Sequence, residues 1–313
     1  MNQITVVVFL LFASLPIFAD VIPDYPAEKI AANTYVIHGP VGFPSPENKG
    51  FMNNPVFTVT KTGVVVIDPG SSLYSGQMVL RQIRKISDMP VTHVLSTHVH
   101  GDHWLGNHAL KDAFPEAVFI GHPEMIAQAK AGAAESWIKR MSTATKGATD
   151  GTKAVIPDKA LDDADSFTSG GMTFRILAPK QAHSGTDIMI LIREDKVLVT
   201  GDNILNSRVG RMDDATFRGN INACDVALKS GATVFVPGHG PTGDSSVITS
   251  FRTYLSIIYD TAAVLIEDGL SAFEMKPKIV EKLQAYQTWK DFDDQIGKQI
   301  SLAMLEAEKA MFE

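Results

Sequence analysis

Alternating and continuous apolar runs divide the chain into short strand-like and longer helix-like segments. TYVIH at 34–38 predicts a strand, and PVFTVT and VVVID at 55–60 and 64–68 predict a pair joined by a turn at Lys61–Gly63, so the chain opens as a β-meander. Apolar residues at helical spacing from Leu73 to Ile86 predict a helix, VTHVLS at 91–96 a strand, and Leu105–Phe114 a short helix. AVFIG predicts another strand and Pro123–Met141 another helix, whereas Ser142–Asp165 carries the mixed signals of a peripheral stretch. The second half repeats the alternation, with strands at MTFRILA, DIMILI and KVLVT, a helix over Asp213–Lys229 and a strand at TVFVPG. From Ser245 to Glu313 the pattern is mostly helical. The alternation predicts an α/β protein with two packed sheets flanked by helices.

Two segments fall outside this pattern. An unbroken apolar run from Ile4 to Phe18 ends at Ala19 and gives way to the acidic, proline-containing DVIPDYP. It is too short to span a bilayer comfortably, so residues 1–19 are expected to be a secretory signal peptide. No cysteine follows Ala19 closely enough for a lipoprotein anchor, so a periplasmic or secreted protein without a stable membrane anchor is expected. The other segment, GPVGFPSPENKG at 39–50, is rich in glycine and proline and reads as a mobile loop carrying one aromatic, Phe43.

The 313 residues are 45% hydrophobic, enough to bury a large core. Residues 20–313 are expected to form a single catalytic domain whose C-terminal helical extension begins at about residue 245. A net charge of −7 excludes a nucleic-acid partner, which needs a clustered basic surface. The only cysteine, Cys224, has no partner for an internal disulfide and is expected to fill a core position on a helix.

The chemistry concentrates in Thr97-His98-Val99-His100-Gly101-Asp102-His103, where three imidazoles and a carboxylate occupy the six positions 98–103. Such density is that of a metal site. At the end of a strand His98 and His100 project to one side, while Asp102 and His103 on the following turn can face a neighbouring ion. A catalytic ion needs about three protein ligands and an open position, so further ligands must come from elsewhere. His183 in AHSGTD, Asp202 in VTGDN and His239 in VPGHG each follow a predicted strand and are the candidates.

HxHxDH, a later His, a strand-terminal TGD and a final GHG, in that order, resemble the metallo-β-lactamase superfamily over roughly residues 30–245. The resemblance implies an αββα sandwich in which His98, His100 and His183 hold a first metal and Asp102, His103 and His239 a second, with Asp202 bridging them. It also implies a hydrolase that attacks an activated acyl bond of a small molecule, with Asp102 orienting the nucleophile or moving a proton. Imidazole and carboxylate donors without thiolate suit two zinc ions, though iron and manganese accept the same set.

Departures within the superfamily narrow this further. The diiron oxygen reductases of this fold carry glutamate where His100 stands, and the commonest metallo-β-lactamases carry a metal-binding cysteine where Asp202 stands. The site is similar to that of glyoxalase II, without a basic glutathione-binding signature in the C-terminal helices. ENKGFMNNPVFTVTKTGVVVIDPGS, together with the signal sequence and the C-terminal helices, resembles the periplasmic zinc metallohydrolases found with quinoprotein dehydrogenase systems. Two alternatives stand beside the hydrolase: an iron persulfide dioxygenase with one ion, and a periplasmic metal-binding module without turnover. His38, His93, His108 and His122 lack motif partners and are expected to be structural. Arg208, Arg211 and Arg218 either meet a substrate carboxylate or solvate a helix start, and Phe43 either meets substrate or packs in its loop.

Overall fold

In the computed structural model, which describes residues 22–312, the meander is formed by β1 (Ala27–Lys29), β2 (Thr34–Ile37), β3 (Val56–Thr60) and β4 (Gly63–Ile67), each antiparallel to the next. The expected signal peptide lies outside the described residues. Parallel strands β5 (Val91–Leu95), β6 (Val118–Gly121) and β7 (Lys159–Ala160) extend this sheet, so its order follows the chain. The second sheet is built from β8 (Ser166–Ser169), β9 (Met172–Leu177), β10 (Met189–Ile192) and β11 (Val197–Val199), all antiparallel. After a crossover through helix α6 (Phe217–Leu228), β12 (Val234–Val236) joins β11 in parallel.

The continuous apolar runs arise because both faces of these strands are covered, and successive side chains go to opposite faces. Val65, Ile67, Leu95 and Ile120 meet Phe174, Ile190, Ile192 and Val199 between the sheets. Their neighbours Val64, Val66, Val94 and Phe119 pack outward on α1 (Leu73–Arg84) and α3 (Asn107–Ala113). On the far side, Met189, Leu191, Leu198 and Phe235 pack on α6, α7 (Ser245–Glu267), α8 (Ala272–Lys282) and α9 (Phe292–Ala310). The layers are therefore helix, sheet, sheet, helix, and the C-terminal helices share their core with the second sheet. Each buried aliphatic or aromatic side chain contributes about 1.5–3 kcal/mol, which lets the fold carry a dense polar cluster at the strand ends.

Four local features depart from expectation. The helix predicted near Leu105–Phe114 starts at Asn107 as α3, and the motif itself forms a separate one-turn helix, α2 (Gly101–Trp104), ahead of it. The helix predicted over Pro123–Met141 is split into α4 (Pro123–Gln128) and α5 (Ala134–Ala144) by a π-turn in which Gly132 has φ of 114°. β1, β7 and β8 are short and carry exposed polar residues at sheet edges, so no apolar run marked them. The loop at 39–50 is hydrogen-bonded on itself: Asn48 Oδ1 accepts from the Ser45 and Gly50 amides, each at 2.8 Å, and its Nδ2 donates to the Phe43 carbonyl at 3.0 Å. Among the described residues no helix is long and apolar enough to cross a membrane.

Candidate metal centre

All seven predicted ligands converge at one end of the two sheets, in two groups. His98, His100 and His183 form one group, and Asp102, His103, Asp202 and His239 the other, with the ligand atoms of each within 4.8 Å of one another. His98 and His100 follow β5, Asp102 and His103 lie on α2, His183 follows β9, Asp202 sits in the turn after β11, and His239 follows β12. The motif loop is closed by Trp104 Nε1, which donates to the Val99 carbonyl at 2.8 Å, and is tied to the second sheet by Ile188 N donating to the Thr97 carbonyl at 2.8 Å.

Local backbone choices place Asp202. Gly201 has φ of 53°, and a Cβ there would come within 2.7 Å of Thr97 Oγ1. At Gly238 a Cβ would lie 2.0 Å from Asp202 Oδ1, so the carboxylate occupies space that only glycine leaves open. Asp202 then divides its oxygens between the groups. Oδ1 is 3.1 Å from His103 Nε2 and 3.3 Å from His239 Nε2, while Oδ2 is 3.6 Å from His183 Nε2. Asp102 Oδ2 completes the second group at 3.2 Å from His239 Nε2 and 3.4 Å from His103 Nε2.

The outer nitrogens of four rings have acceptors, and these fix which nitrogen faces the site. His103 Nδ1 donates to Asp68 Oδ2 at 2.8 Å, and His239 Nδ1 donates to the Met52 carbonyl at 2.8 Å. Thr97 Oγ1 donates to the same Asp68 oxygen at 2.6 Å and so accepts from His98 Nδ1 at 3.0 Å. His100 is turned the other way: its Nε2 donates to Asp214 Oδ2 at 3.1 Å and its Nδ1 faces His183 Nε2 at 3.0 Å. His98, His103 and His239 thus present Nε2, and His100 presents Nδ1.

The donor set fits metal ions on two grounds. His98 Nε2, His103 Nε2 and Asp202 Oδ1 are buried without a hydrogen-bond partner among the described residues, although His103 Nε2 and Asp202 Oδ1 are close. Orphaned buried polar atoms of this kind are rare unless an ion or water completes them. The electrostatics agree. Burial pushes the His98 imidazole well below its ordinary pKa and His183 to about 3, so both are neutral donors at pH 7. Burial also opposes the His103 cation, but Asp202, Asp102 and Asp68 outweigh it and raise this imidazole well above its usual range. His239 is raised against burial chiefly by Asp202. Burial would lift the Asp102 and Asp202 carboxyls, yet the facing imidazoles hold both well below the carboxylate range. The second group is a field that favours positive charge.

Several supporting residues were not singled out from the sequence. Asp68 follows β4 in a left-handed conformation with φ of 53°, and its Oδ1 accepts from Thr97 N at 2.8 Å. Such a conformation costs a non-glycine residue on the order of 1–3 kcal/mol, and here it aims one carboxylate at Thr97 and His103 together. Asp187 Oδ2 accepts from Ser184 N at 2.6 Å and fixes the turn that carries His183, while burial pushes its carboxyl up to about 7. The strand-terminal VVVIDPG was the one hint of Asp68.

The remaining candidates lie elsewhere. His38 bonds Thr242, His93 stacks on Phe167, His108 accepts from Lys153 N, and His122 caps α4. Neither the solvated position nor the helix start expected for Arg208 is found: it is buried, with Nε 3.5 Å from Asp291 Oδ2. Phe43 packs against both Arg208 and Arg211, each guanidinium 5.2 Å from the ring centroid.

Comparison with known proteins agrees with this architecture. A probable metallo-hydrolase of Streptococcus pyogenes serotype M6 is 27% identical over 200 residues, 60% of this chain and 79% of that protein. Among solved structures, a metallo-beta-lactamase from Pontibacter korlensis superposes with a TM-score of 0.60 at 20% identity, over 74% of this chain and 99% of that one. A stereoselective inverting sec-alkylsulfatase from Pseudomonas sp. superposes with a TM-score of 0.69 at 12% identity, over 90% of this chain but 50% of that larger protein. These two structural likenesses concern the fold alone. The family model of the metallo-beta-lactamase superfamily matches residues 49–248, which span every residue of the two His/Asp groups, and the chain belongs to that superfamily.

Proposed function

We propose that this protein is a dinuclear metal-dependent hydrolase, with zinc as the favoured ion, that cleaves an activated acyl bond of a small molecule such as a thioester, lactone or β-lactam. The observation that carries the proposal is Asp202, whose two oxygens face different donor groups at 3.1 Å and 3.6 Å. One carboxylate reaching both groups supports two ions sharing a ligand. It speaks against the iron persulfide dioxygenase alternative, which needs one ion.

His98, His100 and His183 would hold the first ion, and Asp102, His103 and His239 the second, with Asp202 between them. When bound, such ions supply Lewis acidity and lower the pKa of water from 15.7 toward about 7. The chain's own contribution is orientation and charge. Asp68, the Met52 carbonyl and Thr97 accept the outer ring protons, which turns the other nitrogen of each ring into the site. Asp102 and Asp202 are held anionic by the facing imidazoles, and Asp102 is the residue suited to orient a nucleophile at its carboxylate. His100 is the most open of the imidazoles, its side chain 14% exposed, so substrate approaches from its side. No serine or cysteine nucleophile is required.

The apolar run at Ile4–Phe18 followed by Ala19 supports export to the periplasm or beyond. The test is metal content per chain on mature protein purified without added metal, followed by a panel of acyl substrates. Near two zinc ions per chain and hydrolysis of one substrate class are expected. About one iron with oxygen uptake would replace this proposal with sulfur oxidation, and bound metal without turnover would reduce the protein to a binding module.

A further inference from the structure

His100 differs from its neighbours in what holds it. Asp68, Thr97 and Met52, which orient the His103, His98 and His239 rings, all precede the motif or lie within it. The His100 acceptor, Asp214, lies 114 residues along the chain, in the segment between Asp202 and α6. The ring is wedged between Asp214 at 3.1 Å and the Trp137 indole of α5, 4.9 Å centroid to centroid.

The segment that carries Asp214 is fastened by α9 and the residues just before it, which lie beyond the family match at 49–248. Val209 N donates to the Lys290 carbonyl at 2.8 Å, and Lys290 N donates to Ser207 at 3.0 Å. Gln299 Nε2 donates to the Gly210 carbonyl at 2.8 Å and its Oε1 accepts from Tyr254 of α7. Lys298 pairs with Asp213 next to Asp214, and the Glu306 carboxylate accepts the Phe217 and Arg218 amides at 2.7 Å and 3.0 Å. A residue whose side chain is 63% exposed is thereby held at a fixed distance from a ligand ring.

We propose that Asp214 is a positioning residue for the first donor group: held by α9, its Oδ2 fixes the His100 ring so that Nδ1 faces His98 and His183. This rests on the reading that the group holds a metal ion. Without the acceptor, His100 can rotate about its side chain or exchange its ring proton, and either change withdraws the Nδ1 lone pair from the site. Outer partners of metal-bound histidines are worth roughly 10–100-fold in metal affinity. The exposure of Asp214 places it near the lower end of that range.

The test is zinc affinity of full-length mature protein, measured by competition with a chromophoric chelator for wild type, Asp214→Ala and Asp214→Asn, with cobalt(II) absorption spectra of the same proteins. Thermal melts of the metal-free proteins check folding, which an exposed side chain should leave intact. Asp214→Ala is expected to weaken one binding step about 10-fold, leave the other unchanged and alter the cobalt spectrum. Asp214→Asn keeps an acceptor oxygen without the charge and is expected to restore most of the affinity. Both steps unchanged within about twofold in Asp214→Ala would overturn the proposal. So would a loss that Asp214→Asn does not repair, because the effect would then belong to charge and not to aim. Absence of acyl turnover in wild type would sink the proposed reaction and leave this test standing, whereas absence of metal binding in wild type would overturn both.

Discussion

The two donor groups sit side by side but differ in what they would offer a cation. The first is three imidazoles without a carboxylate of its own, and burial keeps His98 and His183 neutral, so these two offer lone pairs and no charge. The second sets two carboxylates against two imidazoles, and none of its four residues is more than 8% exposed. Its attraction for a cation is Coulombic, strengthened by the low dielectric around it. The support differs too. His103 and His239 are oriented by Asp68 and the Met52 carbonyl from within the protein, while His100 leans on an exposed aspartate. The second group should therefore be rigid and charge-driven, and the first adjustable and nearer to substrate.

The largest effect should come from removing what the groups share. Asp202→Ala should cost at least one ion and abolish turnover, a loss beyond the roughly 100-fold ceiling of an outer-shell partner. Metal analysis and activity on the same preparation check it, and full metal with full activity would remove the bridging role. Gly238→Ala sharpens the point without touching a donor, since its Cβ would lie 2.0 Å from Asp202 Oδ1 and must displace it. It should behave like Asp202→Ala, whereas Gly185→Ala, with nothing within 4 Å, should stay near wild type. Equal behaviour of the two alanine variants would show that the space at Gly238 does not matter.

Next in size is the support of the second group. Asp68→Ala strands three buried donors, His103 Nδ1, Thr97 N and Thr97 Oγ1, each costing about 1–3 kcal/mol when left unpaired. Chemical denaturation should register that loss, and metal affinity of one site should fall roughly 10–100-fold. Unchanged affinity with reduced stability would make Asp68 structural only.

These supports mark the limit of what the sequence carried. The donors were legible because four of them lie in one stretch and the rest follow strong apolar strands, where a His or Asp stands out. Asp68, Asp214 and the Met52 carbonyl were not, because they meet their histidines across separations of 35, 114 and 187 residues. Nothing in a single sequence sets which carboxylate faces which ring. The central strands were readable because burial on both faces makes them continuously apolar, while β1, β7 and β8 at the edges have no such face to declare. The break at Gly132 was equally hidden, since apolar spacing continues through a π-turn.

The groups should also separate by pH. In metal-free protein His103 and His239 have raised pKa values, so they bind protons that an incoming ion must displace. Affinity of the second group should fall as pH drops from neutral, with up to two protons released on binding. Burial depresses both His98 and His183, and His183 takes up no second ring proton until pH approaches about 3, so neither adds proton release to the first step. Calorimetric titration in two buffers of different ionisation enthalpy reads the difference directly. Equal proton release at both steps would erase the electrostatic contrast between the groups.

The smallest effect should be at Cys224, the one thiol and therefore the softest potential ligand in the chain. It lies in α6 within the core formed by the second sheet and the C-terminal helices, away from both donor groups, and burial pushes its thiol up to about 12. A thiol so hard to ionise in an apolar setting does not recruit zinc, which binds the thiolate. Cys224→Ala removes one heavy atom from a packed core, comparable to Ile→Val, at a cost of about 0.5–1.5 kcal/mol. A melting temperature lower by roughly 2–4 °C with unchanged metal content is the expected result. Loss of an ion from a variant that still folds would mean that a thiolate reaches the centre in solution, and the division into an imidazole group and a carboxylate group would have to be redrawn.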